Sequence, residues 1–341
     1  MRVGLGLQTG LPARELISHA LKAEDKGFNS VWVSEDPFFR DALPILGSLA
    51  YNTNRIRLAS CIVNVYTKNP VYMAMFALTM SELSENRFVL GIGRGLRSVI
   101  EGQLGIEYHK PLEYMREYLA ALKSLLRGES TFSGRYFTLR DTRFFFKPPD
   151  GAHPRILLAA MGPKMLKLAG ELADGAILNS CTSTKYAEWA VGVVRESAKN
   201  AGKGKDDIEV ACSIWTCVSD DVENALKTLK LPVGFLTSIP GFGELLLQHG
   251  GLSVNILEEL RSAYRWSEPH NDPFWHLENA DKDKVMELID DKMVDALTIC
   301  GDAEYCAGRV RDYLRAGITT PILFPIGCDA DAVIGLIEWL R

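Results

Sequence analysis

No apolar run in the sequence approaches the roughly 20 residues needed to span a bilayer. The first ten residues, Met1 to Gly10, carry a single charge at Arg2 and lack the apolar region and cleavage site of a secretory leader. A cytoplasmic protein is expected. A basic excess is also missing: 38 Lys and Arg stand against 43 Asp and Glu, a formal net charge of −5. That argues against a nucleic-acid partner, which would want a basic face. The seven cysteines (Cys61, Cys181, Cys212, Cys217, Cys300, Cys306 and Cys328) form no C-x-x-C pair and none has zinc-finger spacing to a histidine, so buried free thiols are expected. The six histidines are scattered and no H-E-x-x-H occurs, so no metal site is expected. G-x-S-x-G and Walker motifs are absent. Gly91-Ile92-Gly93-Arg94-Gly95 misplaces the third glycine of a dinucleotide fingerprint.

What is present is alternation. Short apolar runs at Val3–Leu7, Ser30–Ser34, Asn54–Val63, Phe88–Ile92, Ile156–Ala159, Gly175–Leu178, Ile208–Val218 and Ile318–Phe324 read as strands. Segments of helical spacing separate them. Leu16, Ile17, Ala20 and Leu21 mark one inner face, and Met73, Phe76, Ala77, Met80 and Leu83 another, opened by Pro70. Gly128 to Lys147 reads as an irregular hairpin. Eight strands in strict alternation with helices predict an α/β protein of one domain, residues 1–341. Its fold would be a (β/α)8 TIM barrel with a helical insertion between strands 7 and 8, at approximately 220–300. An aromatic patch in that insertion (Trp266, Phe274, Trp275) reads equally as a contact with a second copy or as a local core.

A barrel of this kind places its chemistry at the C-terminal ends of its strands. That rule selects Gln8-Thr9-Gly10, Glu35-Asp36-Pro37, Cys61-Ile62-Val63-Asn64, Gly93-Arg94-Gly95, Ala160-Met161-Gly162-Pro163 and Asn179. These clusters are polar and glycine-rich, as a pocket for a large planar cofactor requires.

Four segments, GFNSVWVSEDPFFRD (27–41), NRIRLASCIVNVYTKNP (54–70), LTMSELSENRFVLGIGRG (78–95) and MGPKMLKLAGELADGAILN (161–179), resemble the luciferase-like superfamily. More narrowly they resemble its methylenetetrahydromethanopterin reductases, as does DDKMVDALTICGDAEYCAGRVRDYLRAGIT (290–319). The resemblance implies hydride transfer at the central ring of the deazaflavin coenzyme F420, with FMN as the alternative cofactor. It implies a small-molecule substrate and a homodimer or higher homo-oligomer. It also implies a non-proline cis peptide at Cys61–Ile62, where the deazaflavin ring packs. Asn64, Gly93, Gly95 and Asn179 would line the ring. The Ala160-Met161-Gly162-Pro163 turn would lead into a helix N-terminus whose backbone N–H groups hold the coenzyme phosphate.

Three positions depart from that pattern. Gly6 stands where these reductases carry a glutamate, Glu35-Asp36 where they carry Asp-His, and Leu96 where an acid is common. Asp36 is then the candidate general acid, with a helix cap or a pair with Arg40 as its bland role. Arg94 and Arg97 would face an anionic ligand or solvent. Three readings follow: an F420-dependent oxidoreductase, an FMN-dependent monooxygenase, or a barrel that has lost catalysis with its acids.

Overall fold

Eight strands close on themselves in a computed structural model that describes residues 2–148, 151 and 153–341. They are β1 (Gly4–Leu7), β2 (Ser30–Val33), β3 (Arg57–Ser60), β4 (Phe88–Gly93), β5 (Arg155–Ala159), β6 (Gly175–Leu178), β7 (Glu209–Val218) and β8 (Thr320–Pro325). Each pairs in parallel with the next, and β8 returns to β1. This is the closed (β/α)8 barrel that the alternation predicts.

Between the strands run α1 (Ala13–Lys26), α2 (Ala42–Asn52), α3 (Pro70–Leu83), α4 (Pro111–Leu126), α5 (Pro163–Leu172) and α6 (Thr184–Asn200). Six more, from α7 (Val222–Ser238) to α12 (Asp291–Leu297), separate β7 from a short strand, Ile299–Gly301. Then come α13 (Ala303–Arg315), β8 and α14 (Ala330–Gly335). No helix among the described residues is long and apolar enough to cross a membrane.

Local sequence accounts for most boundaries. α1 buries Leu16, Ala20 and Ala23 and stops at Gly27, whose φ of 95° suits glycine and whose N–H bonds the carbonyls of Ala23 and Glu24. α3 starts at Pro70, and the Asn69 side chain accepts the Val71 N–H. Its inner stripe is Met73, Ala77 and Met80 as expected, but Phe76 is only half-buried and Leu83 is exposed. The third strand is shorter than predicted. It stops at Ser60, and after the cis Cys61–Ile62 bond Val63–Asn64 pair separately with Ile92 and Gly93. The hairpin between α4 and β5 is reduced to Phe132–Ser133 against Thr138–Leu139. The Ile299–Gly301 strand, which extends the sheet beside Thr216–Val218, has no counterpart in the sequence reading.

The barrel interior is a packed layer of Trp32, Ala59, Val89, Leu157, Ile177, Ala211, Ile322 and Phe324. A Cβ on Gly6 would lie 2.3–2.5 Å from three atoms of the Phe324 ring, so that ring occupies the space a side chain at position 6 would need. At the opposite end of the barrel, buried Glu209 accepts from Arg57 (3.0 Å) and Thr320 Oγ1 (2.8 Å), with Arg155 at 3.5 Å. These ties join β3, β5, β7 and β8 below the core. The aromatic patch is a local core for its tryptophans: Trp266 stacks on buried His276 and Trp275 on His270, while Phe274 meets Phe39 edge to face.

Candidate active site at the barrel mouth

At the C-terminal ends of β1, β2 and β3 a polar chain forms. The Thr9 N–H donates to Ser34 Oγ (3.4 Å), and the Ser34 hydroxyl donates to Asp36 Oδ2 (2.6 Å). Burial pushes the Asp36 carboxyl above the usual carboxylate range, and the Ser34 hydrogen bond offsets this only partly. Neither bland role for Asp36 holds. Arg40 donates instead to the carbonyls of Gly10 (2.7 Å) and Thr9 (3.4 Å), and Asp41, not Asp36, caps α2. The neighbouring Glu35 is in the reverse condition, ion-paired with Lys68 and accepting the Asn64 N–H at 2.9 Å. Two adjacent carboxylates thus have opposite surroundings, one neutralised by an ammonium and one desolvated.

Cys61 lies close enough to Asp36 for that carboxylate to raise its thiol, after burial, to about 12. Its partner in the cis bond, Ile62, reaches across the mouth: a Cβ on Gly93 would sit 2.6 Å from Ile62 Cδ1 and 3.2 Å from Ala159 Cβ. Gly93 therefore joins the β3 cluster to β5. Gly95 has a φ of 64°, and a Cβ there would meet Asn64 Nδ2 at 2.2 Å. Asn64 Oδ1 accepts the Tyr66 N–H (2.8 Å), so half of this side chain shapes its own loop and the amide nitrogen faces Gly95.

On the far side, Ala160 N–H donates to Ile177 O at 3.1 Å. Asn179 Nδ2 donates to Met161 Sδ (3.4 Å), and Tyr186 Oη donates to the Met161 carbonyl. Gly162 precedes Pro163 at the start of α5, and among the described residues no side chain caps that helix. Helix N-termini of this kind attract anions. The Ser180 and Ser213 hydroxyls, 2.8 Å apart, extend the rim to β7.

A luciferase-like monooxygenase family model matches residues 1–320. The chain belongs to that family. It is 29% identical to the 5,10-methylenetetrahydromethanopterin reductase of Methanolobus tindarius over 340 residues, 99% of this chain and 98% of the relative. With the same enzyme of Archaeoglobus fulgidus it shares 30% over 339 residues, 99% and 97% of the two chains. The structure of the coenzyme F420 dependent tetrahydromethanopterin reductase from Methanopyrus kandleri superposes with a TM-score of 0.83 at 25% identity, covering 98% of this chain and 96% of that one.

Within this luciferase-like barrel, the residues selected by the strand-end rule form two groups joined through Gly93. Asp36, Cys61, Ile62, Asn64 and Gly95 make one; Ala160, Met161, Gly162, Pro163 and Asn179 make the other. The two arginines separate. Arg94 donates to the Tyr108 hydroxyl, beside Tyr66 and Tyr114 in a stack, while exposed Arg97 pairs with Glu101. Ser34, Lys68 and Ser213 also lie among these residues, and the strand-end rule does not name them. Ser34 ends the second apolar run and was within reach of the same rule. The Glu35–Lys68 pair was not, because no local pattern links residues 33 apart.

Proposed function

We propose that this chain is an F420-dependent oxidoreductase, moving a hydride between the deazaflavin and an organic substrate. The observation that carries the reading is likeness over 99% of the chain to two methylenetetrahydromethanopterin reductases. The mouth fits such a coenzyme. Among the described residues the buried Thr9 hydroxyl has no partner, no side chain caps the N-terminus of α5, and Asp36 has no basic partner. The residues that would hold the coenzyme are Cys61, Ile62, Asn64, Gly93, Gly95, Ala160, Met161, Gly162, Pro163 and Asn179. When bound, it supplies a ring carbon that gives or takes a hydride and does not activate oxygen.

The chain's own contribution is position and a proton. Asp36 is the general acid, its carboxyl held above the usual carboxylate range by burial. Ser34 fixes its Oδ2 and leaves Oδ1 for the substrate atom that gains the proton. Glu35, neutralised by Lys68, does not compete for that role. The substrate is a small organic molecule, with methylene-pterins the first class to screen.

Residues 1–341 act as one domain with the helical segment at approximately 220–300 as an insertion, and the protein is a cytoplasmic homodimer or higher homo-oligomer. Support for the dimer comes from α3, which is apolar on both faces: Met73, Ala77 and Met80 point inward while Tyr72, Met75 and Leu83 are exposed. Parallel fluorescence titrations with F420 and FMN test the cofactor. Saturable binding of F420 alone is the expected result. Tight FMN binding or a yellow protein as purified would move the assignment to the monooxygenase, and binding of neither would favour a barrel without catalysis.

A further inference from the structure

The first and last helices of the ring, α1 and α14, pack against each other along a polar seam. His19, Lys22 and Lys26 recur at helical spacing on α1. Lys22 Nζ donates to both carboxylate oxygens of Asp331 (2.8 and 2.6 Å), Lys26 Nζ donates to Glu338 Oε1 (2.6 Å), and Arg341 donates to the Lys26 carbonyl (2.9 Å). His19 breaks this series of ties. Its side chain is 7% exposed, and its Nδ1 is sealed from solvent with no hydrogen-bond partner among the described residues. Yet one ring nitrogen of His19 and one carboxylate oxygen from each of Asp329 and Asp331 all lie within 4.8 Å of one another. An unpartnered imidazole is costly to bury, and two carboxylates converging on it point to a cation as the shared partner.

We propose that His19, Asp329 and Asp331 bind a divalent transition cation of the zinc class, which clasps the first helix of the barrel to the last. One imidazole nitrogen with two carboxylates suits such an ion. Magnesium and calcium prefer sets made of oxygen alone. Zinc sits about 2.1 Å from nitrogen and oxygen donors, so donors on one ion are at most about 4.2 Å apart. The three donors need to close by less than an ångström to reach that limit, and both carboxylates are exposed and rotate freely enough to do so. Asp329 Oδ1 accepts the Asp331 N–H at 2.9 Å, which leaves Oδ2 to ligate. Water completes the coordination from the solvent side.

Lys22 is the competitor. Its ammonium holds Asp331, but the two side chains are 47% and 50% exposed, and an ion pair so open to water is weak. The cation displaces it, and Lys22 swings into solvent at a cost of about two- to fivefold in metal affinity. The bound ion ties residue 19 to residues 329 and 331, so it stabilises the folded chain over the unfolded one. No spacing motif announces these ligands. The histidines are scattered, and the acids that meet His19 come from the opposite end of the chain, which is why the sequence alone predicts no metal site.

The test strips the purified full-length protein with a chelator and titrates it with zinc chloride, reading heat of binding and the thermal midpoint. One equivalent binding saturably at micromolar zinc is the expected result, with magnesium and calcium giving no comparable signal. A hundredfold excess over Kd should raise the midpoint by about 4 °C. Asp329→Asn keeps the helix cap, and it and His19→Gln should each weaken binding by more than about tenfold. If His19→Gln does not fold, the exposed Asp329 still decides the matter. Lys22→Ala should tighten binding about two- to fivefold, a gain that a site elsewhere would not show. No zinc binding, binding that survives Asp329→Asn (at the cysteines, for example), or an affinity indifferent to Lys22→Ala would overturn the proposal. The readout needs neither coenzyme nor substrate, so its failure leaves the hydride-transfer reading untouched.

Discussion

Replacing Glu209 by glutamine keeps the volume, and the amide oxygen still serves Thr320 Oγ1, but it removes the charge that faces Arg57 and Arg155. Breaking a fully buried pair costs about 3–5 kcal/mol. Here the two arginine side chains are 27% and 36% exposed and regain water, so about 2 kcal/mol is the reasonable figure. At this chain length that lowers the midpoint by about 3 °C. The sign of the pH dependence also follows. Burial alone would raise the Glu209 carboxyl, but Arg57, Thr320 and Arg155 outweigh it and hold the group below the usual range. A depressed carboxyl stabilises fully above its unfolded value, about 4.3, and that contribution is lost as pH falls through the folded value. The gap between parent and Glu209→Gln is therefore widest above about pH 5 and narrows toward pH 3. Urea melts at pH 7, 5, 4 and 3.5 measure it. A gap that stays constant over the range, or no gap at pH 7, would refute an electrostatic role for Glu209.

Asp36→Asn should lower kcat by about 10²- to 10⁴-fold while coenzyme titration stays near the parent value, since only the proton donor is lost. With the acid form required, parent activity should fall as pH rises through the raised Asp36 value, and the variant should lose that limb. Glu24 accepts N–H groups from Asn54 (3.0 Å), Arg55 (2.6 Å) and Ile56 (2.9 Å); burial raises its carboxyl but these bonds leave it below the ordinary range. Glu24→Ala should cost about 3 kcal/mol in urea unfolding and speed amide exchange at those three residues. Tyr72→Lys together with Met75→Glu should convert the proposed dimer to a monomer in sedimentation, and an unchanged mass would discard α3 as the interface.

The barrel was legible because β/α alternation is local. Each strand and its following helix announce themselves within about 30 residues, and the C-terminal-end rule then names the mouth without further information. The break after Ser60 was not read from the apolar run, which continues unbroken through Val63. The Ile299–Gly301 strand is three residues long and gains its identity only by lying beside Thr216–Val218. At the site, Asp36 stands out in the sequence because expected acids are missing elsewhere. What makes it different from Glu35 is invisible in sequence: Lys68 comes to one of two adjacent carboxylates and not to the other. Gly6 was legible as a missing acid, but its reason lies 318 positions away in the Phe324 ring.

That pairing of Gly6 with Phe324 constrains how a barrel of this type can change. A side chain introduced at position 6 while the ring remains meets rigid atoms at 2.3–2.5 Å. Shrinking Phe324 first leaves a hollow in the core, at about 3–5 kcal/mol for a phenylalanine-to-alanine change. Either single step is disfavoured, and only the double exchange, an acid at 6 with a small residue at 324, arrives at a filled interior. Two arrangements of the strand-one end are thus separated by a barrier in sequence space, and a chain that has crossed it does not drift back one residue at a time.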